Sequence, residues 1–316
     1  LKISNPAMHN RKRMEEACEH QLKRFLRPDI KMEATISAMG KAHERAPEHR
    51  SILPNVKHII AVASGKGGVG KSTVASNLAA GLAMQGFKVG MVDADIYGPS
   101  VPAMFDVAME KPSTIEVDGK EYIKPIESYG VKMLSIGFFS TPDQAVVWRG
   151  PMATKALTQL FKDAYWGELD FMVIDLPPGT GDVHLTMVQQ VPLTGAIVVS
   201  TPQEIALVDV RKALGMFSLP EINVPVLGLV ENMAYFTPPE LPENKYYIFG
   251  EGGAKELAER MDINYLAEIP IVQSIREAGD AGRPAVLQET TPQAIAFRDL
   301  ATKVAEKVGL TVPKSV

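Results

Sequence analysis

The sequence is poor in cysteine and has no long apolar run. Cys18 is the only cysteine among 316 residues, which excludes an intrachain disulfide framework and is typical of a reducing compartment such as the cytoplasm. No stretch approaches the roughly 20 apolar residues of a membrane-spanning helix. The formal net charge is −4, so the chain lacks the basic excess that broad binding to nucleic acid or an anionic membrane requires. We therefore expect a cytoplasmic protein with no nucleic acid and no membrane as partner.

The composition is that of a globular protein, and the chain divides into three parts. Hydrophobic residues make up 46% of it and charged residues 22%. Residues 1–38 are predicted to form a partial α+β lobe of strand, helix and strand. Cys18 lies on the apolar face of that helix, where it is either a small core residue or a reactive thiol. Residues 39–53 are predicted to be a polar linker, and residues 54–316 the main domain.

The main domain alternates between apolar runs of strand length and segments with helical spacing. Because the runs are apolar throughout, both faces of each strand should be buried, as in a mostly parallel sheet covered by helices. An interruption, TIEVDGKEYIKPIE, predicts a hairpin that turns at Asp118 and Gly119. The last helix is predicted to begin at Pro292 after a Thr291 cap and to stop at Gly309. The six predicted strands are HIIAVAS, KVGMVDA, VKMLSIG, FMVIDLP, GAIVVST and PVLGLVEN.

A glycine-rich segment follows the first strand and precedes a helix, which is the context of a phosphate-binding loop. Glycine has no Cβ and tolerates a positive φ, so the segment can curl until its N–H groups point at phosphate oxygens. Lys71 would bind the β- and γ-phosphates, and Ser72 would give an oxygen ligand to Mg²⁺. The alternative is a merely flexible turn. The predicted nucleotide-binding residues are Gly65, Lys66, Gly67, Gly68, Val69, Gly70, Lys71, Ser72 and Thr73.

Carboxylates stand at the ends of two predicted strands. Asp93 and Asp95 lie in VDADIYGPS, and Asp175 ends the strand in VIDLPPGTGD. Ligands of open α/β sheets bind outside the carboxyl ends of the strands. We expect Asp175 to hold Mg²⁺ directly or through water, and Asp93 to lie near the Mg²⁺ or near the loop. Either Asp93 or Asp95 could instead cap the following turn.

Lys66 makes the loop resemble the deviant K-G-G-x-G-K-[ST] loop of a P-loop class that includes MinD, ParA and nitrogenase iron protein. In that class two subunits enclose two nucleotides, and this lysine reaches the partner's phosphates. The resemblance implies a homodimer in which Lys66, Lys71 and a water-orienting Asp95 are catalytic. It also implies that Asn232 and Pro270 hold the adenine. Lys66 could otherwise be a solvated loop lysine, and Asn232 a turn residue.

Over residues 53–287 the chain resembles more narrowly the Mrp/ApbC family of iron–sulfur cluster carrier ATPases. The segments that carry the resemblance are SGKGGVGKSTVASNLA, VDADIYGPSVP, WRGPM, VIDLPPGTGD, STPQEIALVDVRKA, ENMAYF, IFGEGG and IREAGDAGRP. It implies a doubly wound P-loop NTPase domain, slow ATP hydrolysis, and a [4Fe–4S] cluster held between two subunits and passed to apoprotein clients.

The alternative function is that of a MinD- or ParA-like spatial-organising ATPase without a cluster. A P-loop kinase would need a lid of arginines, and none stands out.

The chain departs from this family at the cluster ligands. The resemblance places a C-x-x-C between ENMAYF and IFG, but the interval here is TPPELPENKYY and contains no cysteine. Pro238 and Leu241 stand roughly where the two thiolates would fall. Because such clusters usually need four thiolates, we expect one to be bound weakly, with ligands lent by a client or a small thiol, or not at all. The ATPase residues are expected to carry over unchanged.

Overall fold

The chain divides into two compact units, Leu1–Glu48 and His49–Val316. In the first unit, strand β1 (Lys2–Ile3) pairs in parallel with strand β2 (Ser37–Ala38). The predicted helix with Cys18 lies outside the described residues. Besides these two strands, the computed structural model describes residues 52–139, 150–238 and 240–312.

An eight-stranded sheet and a separate hairpin form the strand structure of the second unit. The strands are β3 (Val56–Ser64), β4 (Val89–Asp93), β5 (Ser113–Val117), β6 (Lys120–Lys124), β7 (Ile126–Ser128), β8 (Val131–Ser135), β9 (Leu169–Asp175), β10 (Gly195–Ser200), β11 (Val226–Phe236) and β12 (Tyr265–Ile271). The sheet order is β12-β11-β10-β3-β9-β4-β8-β7. All neighbours are parallel except β7 and β8. The predicted mostly parallel α/β sheet is therefore confirmed.

Besides the six predicted strands, the sheet contains the short edge strand β7 and one long strand, β12, which the sequence pattern did not predict. The sequence of β12, YLAEIPI, is interrupted by the exposed Glu268 and by Pro270. β12 lies at the edge of the sheet and pairs only with β11. Proline lacks an N–H group and is tolerated mainly on edge strands, so a strand of this composition escapes a search for continuous apolar runs.

Helices cover the sheet. The helices are α1 (Lys71–Met84), α2 (Val101–Met104), α3 (Gly150–Lys162), α4 (Asp182–Gln190), α5 (Glu204–Phe217), α6 (Gly253–Met261), α7 (Gln273–Asp280) and α8 (Pro292–Lys307). Helix α1 packs against both the sheet and α8, which explains why it has no polar face. Helix α5 packs on β10 and β3. In the part of the chain that the structure describes, no helix is long and apolar enough to cross a membrane.

Two local predictions are confirmed. Strands β5 and β6 form the hairpin, with Asp118 at φ 51° and Gly119 at φ 76°, as a two-residue turn of the primed type requires. Thr291 caps α8 by accepting a hydrogen bond from the N–H of Ala294 at 3.4 Å. Gly309 follows the helix with a φ of 82°.

Asn77 joins α1 to the segment before α8, and its loss should destabilise the fold. The side chain is buried; its Oδ1 accepts from the Val286 N–H at 2.7 Å, and its Nδ2 donates to the Thr73 carbonyl at 2.8 Å. Asn77→Ala leaves the buried Val286 N–H without an acceptor, so the free energy of unfolding in urea should fall by about 2 kcal/mol. The exposed Asn264, which donates to the Leu227 carbonyl, is the matched control. Asn264→Ala should cost less than about 1 kcal/mol, and equal losses would contradict the argument.

Candidate nucleotide-binding site

The predicted site residues converge at the carboxyl ends of neighbouring strands. In the register of the sheet, Asp175 at the end of β9 is paired with Val62 of β3 on one side and with Asp93 of β4 on the other. The phosphate loop follows β3 directly, so it begins beside Asp175. Parallel strands place these ends along one edge of the sheet, which brings together residues more than 100 positions apart.

The phosphate loop leaves an open space lined by backbone. Gly68 and Gly70 have φ values of 82° and 80°, which glycine adopts without strain. A Cβ on Gly67 or Gly68 would meet no atom within 4 Å. Gly70 is the N-cap of α1 and provides no side-chain cap, so the first N–H groups of α1 remain available to an anion. Gly65 has a different role, because a Cβ there would overlap the backbone of Asp209 in α5.

Lys71 forms a buried ion pair with Asp175. Its Nζ lies 2.6 Å from Asp175 Oδ1, 3.2 Å from Ser72 Oγ and 3.7 Å from Asp95 Oδ2. Lys71 is 6% exposed and Asp175 is fully buried. Burial raises the pKa of Asp175, and the charge of Lys71 opposes that rise. Among the described residues, Asp175 Oδ2 has no hydrogen-bond partner.

Asp93 holds the segment that follows β4. Its carboxylate accepts hydrogen bonds from the Asp95 N–H at 3.1 Å, the Val101 N–H at 3.2 Å and the Ser135 hydroxyl at 3.0 Å. Burial, and next the charge of Asp175, raise the pKa of Asp93 to about 7. Its two oxygens therefore accept from three donors, two in the segment after β4 and one at the end of β8. The predicted place of Asp93 near the Mg²⁺ or the phosphate loop stays a prediction.

Asp95 faces the phosphate-loop lysine. Its Oδ1 accepts from the Tyr97 N–H at 3.3 Å, which caps the turn, while its Oδ2 is the atom 3.7 Å from Lys71 Nζ. Asp95 therefore caps the turn with one oxygen, as the alternative interpretation predicted, and directs its second oxygen into the site. Its predicted role in orienting water stays a prediction.

Asn232 contacts the phosphate loop. Its Nδ2 donates to the Val69 carbonyl at 2.9 Å and lies against Gly70, where a Cβ would overlap it. Asn232 is paired with Ile269 of β12, so Pro270 lies one residue further along the neighbouring strand. Reading an adenine edge uses both a donor and an acceptor of the amide, and one of the two Nδ2 hydrogens of Asn232 is engaged here with Val69. The adenine contact of Asn232 and Pro270 stays a prediction.

Lys66 differs from Lys71 in its surroundings. It is only partly buried, and its Nζ has no ion-pair partner within residues 52–139, 150–238 and 240–312. Its carbonyl accepts from the Ser64 hydroxyl at 2.9 Å, which shapes the start of the loop. Lys66 and Lys71 therefore differ in their burial and in the groups that they contact.

The donor set suits Mg²⁺. Over the described residues, no group of three or more His, Cys, Asp or Glu side chains could hold a metal ion by itself. Mg²⁺ does not need such a cage, because it is usually held by one or two carboxylates, waters and the phosphates of a nucleotide. The unpartnered Asp175 Oδ2 and the Ser72 hydroxyl, both next to Lys71, provide hard oxygen ligands of that kind.

Sequence reasoning missed two residues of this site. Ser135, at the end of β8, donates to Asp93 and also accepts from the Gly137 N–H at 3.0 Å. His184, in the first turn of α4, lies 3.1 Å from the Pro177 carbonyl through its Nδ1. Neither has a motif of its own. Only the position of Ser135 at the end of a predicted strand could have drawn attention to it.

Comparisons with known proteins agree with this geometry. The iron–sulfur cluster carrier protein of Aquifex aeolicus is 51% identical to this chain over 261 residues, which cover 82% of this chain and 70% of the relative. The iron–sulfur cluster transfer protein NUBPL of Dictyostelium discoideum is 46% identical over 271 residues, 85% of this chain and 82% of the relative.

Among solved structures, a nucleotide-binding protein from Archaeoglobus fulgidus in complex with ADP is similar, with a TM-score of 0.67 and 39% identity. The match covers 79% of this chain and 95% of that one. A family model described as ParA, NUBPL iron-transfer P-loop NTPase, matches residues 55–305. The resemblance to cluster-carrier ATPases is thereby confirmed. This chain belongs to the family of NUBPL iron-transfer P-loop NTPases.

Proposed function

We propose that this chain is a Mg²⁺-dependent ATPase that turns over slowly in isolation and serves the delivery of iron–sulfur clusters to apoproteins in the cytoplasm. The observation that carries the proposal is the buried Lys71–Asp175 pair at the head of an open, backbone-lined loop. The printed names of the relatives support the iron–sulfur part. The single cysteine of the chain supports a reducing compartment.

Nucleotide binding begins with an exchange of partners at Lys71. The N–H groups of the loop and of the first turn of α1 surround the phosphates, and Lys71 turns from Asp175 towards their charge. Asp175 and Ser72 would hold Mg²⁺, which would neutralise part of the phosphate charge when bound. Asn232 and Pro270 lie beside the adenine.

Hydrolysis requires a water molecule aligned with the terminal phosphate. Asp95 has one oxygen fixed by the Tyr97 N–H and the other directed into the site, so it can orient that water. Asp93 fixes the backbone of the same turn through three hydrogen bonds. We expect the reaction to be slow in one chain, because within the described residues Lys71 is the one cation that pairs with the strand-end carboxylates of the site.

Lys66 supports a homodimer. Lys66 lies in the phosphate loop and has no ion-pair partner in the part of the chain that the structure describes. It is therefore suited to the phosphates bound by a second copy of the chain, where it would stabilise charge in the transition state as an arginine finger does. Each subunit would then complete the site of the other.

The cargo site differs from the one that the family resemblance implies. After β11 the chain forms a closed loop, in which Phe236 and Tyr246 exchange two backbone hydrogen bonds. Within it, the Leu241 N–H donates to the Pro238 carbonyl at 3.0 Å, so these two residues stand in one turn, as the cysteines of a C-x-x-C would. Oxygen donors such as Glu240 suit iron–sulfur clusters poorly. We therefore propose that a client or a small thiol provides ligands.

The role of Lys71 is tested by nucleotide binding. Lys71→Ala removes the main cation of the phosphate site, so the affinity for ADP and Mg²⁺ in calorimetric titration should fall on the order of 100-fold. Lys66→Ala is the control, because Lys66 lies in the same loop and has no ion-pair partner among the described residues. The ADP affinity of this variant should stay within about threefold of the parent. Unchanged ADP affinity in Lys71→Ala would contradict the assignment of the site.

Hydrolysis and its dependence on two chains are tested together. Asp95→Asn should bind ATP normally but lose at least about tenfold in kcat, because an amide orients water less well. Lys66→Ala should lose a similar factor, and the specific activity of the parent should fall on dilution. A dilution-independent rate combined with a fully active Lys66→Ala variant would refute the shared site, while leaving the ATPase itself in place.

The cargo site is tested by reconstitution. Anaerobic incubation with iron and sulfide, followed by desalting, should leave near-zero iron per dimer, both in the parent and in Cys18→Ser. The double variant Pro238→Cys, Leu241→Cys places two thiols in the turn of each subunit and should gain about four iron atoms per dimer, with thiolate-to-iron absorption. A stable, stoichiometric cluster in the parent that survives Cys18→Ser would show that other ligands exist.

A further inference from the structure

The segment Leu176–Gly181 after β9, here called the diproline segment, has few backbone donors with which to hold its position. Pro177 and Pro178 lack N–H groups. The flanking N–H groups are both used on the sheet side, since Leu176 donates to the Val62 carbonyl and Gly179 to the Ser64 carbonyl, each at 3.0 Å. Gly179 has a φ of 83° and lies beside the phosphate loop, where a Cβ would stand 3.9 Å from the Gly65 carbonyl oxygen.

His184 holds the other side of this segment. It lies in the first turn of α4 with 1% of its surface exposed, and its Nδ1 is 3.1 Å from the Pro177 carbonyl oxygen. A carbonyl only accepts, so Nδ1 carries the hydrogen. The other side of the imidazole packs near Phe217 of α5, at 6.0 Å between ring centroids. The histidine therefore connects the diproline segment to two helices.

Packing alone does not account for a histidine at this position. Within the described part of the chain, its Nε2 is buried without a hydrogen-bond partner, and a buried unpaired acceptor costs stability that an apolar side chain would avoid. Burial lowers the pKa of His184 to about 4, and the charge of Lys71 acts in the same direction. The ring is therefore neutral near pH 7, with one hydrogen, and that hydrogen is on the nitrogen that faces Pro177.

We propose that His184 is a positioning residue: its Nδ1–H bond to the Pro177 carbonyl sets the place of Gly179 against the phosphate loop and thereby supports hydrolysis. The expected effect on kcat rests on the proposed ATPase function. The expected effect on the position of the segment rests only on the contacts of the diproline segment. His184 acts through the backbone that it holds.

Two substitutions separate the hydrogen bond from packing. His184→Leu fills the site without a donor, whereas His184→Asn keeps an N–H on the atom bonded to Cγ, in the place of Nδ1. His184→Leu should lose about tenfold in kcat with KM for ATP and the ADP affinity within about threefold. His184→Asn should recover kcat to within about threefold. His58→Leu is the control, since His58 also has a buried, unpartnered Nδ1 but lies in β3 at the opposite end of the sheet.

Hydrogen exchange gives a readout that does not depend on catalysis. In nucleotide-free protein, the Gly179 amide should exchange about tenfold faster in His184→Leu and at the parental rate in His184→Asn and His58→Leu. Parental kcat and exchange in His184→Leu would overturn the proposal, and so would equal losses in His184→Leu and His184→Asn. If the parent chain hydrolysed no ATP, the proposed function would fail, and the exchange comparison would still decide whether His184 positions the segment.

Discussion

Lys71 and Asp175 are both removed from water, and each is the principal compensation for the charge of the other. An unpaired charge at this depth would be strongly destabilising, so β9, which ends at Asp175, must end beside β3, which leads through the phosphate loop to Lys71. The register that pairs Val62 with Asp175 achieves this, because the phosphate loop starts directly after β3. The pair leaves Asp175 Oδ2 without a partner among the described residues. The two charges of the site are therefore close together before any ligand is bound.

The segments that leave β4 and β9 are held by different chemistry. After β4, the buried carboxylate of Asp93 accepts two backbone N–H groups and a hydroxyl. After β9, two prolines remove backbone donors, so a carbonyl is held instead by the imidazole of His184.

A third connection runs from the phosphate loop to β11, through the hydrogen bond of Asn232 to the Val69 carbonyl. Met233, next to Asn232, has a φ of 55°, and the register of β11 with β12 shifts beyond this point, where the strand leads into the loop closed by Phe236.

Much of the fold followed from short-range pattern. Buried parallel strands are apolar on both faces, and six of them stood out for that reason. The hairpin turn at Asp118 and the cap at Thr291 were also visible, because they depend on the φ angle or hydrogen bond of one residue. β12 was not visible, because an edge strand tolerates Glu268 and Pro270, and these interrupt the apolar run.

The sequence by itself determined the phosphate loop, since its glycines and Lys71 are needed at fixed spacing whatever surrounds them. It also determined the absence of cysteine from the loop after β11. Only the tertiary structure decided which groups each carboxylate contacts. Asp93, Asp95 and Asp175 are chemically identical, and they differ in the donors that the turns and neighbouring strands direct at them. The partner of His184 was likewise decided by the fold, because a hydrogen bond to a carbonyl depends on the path of the backbone and leaves no pattern in the sequence.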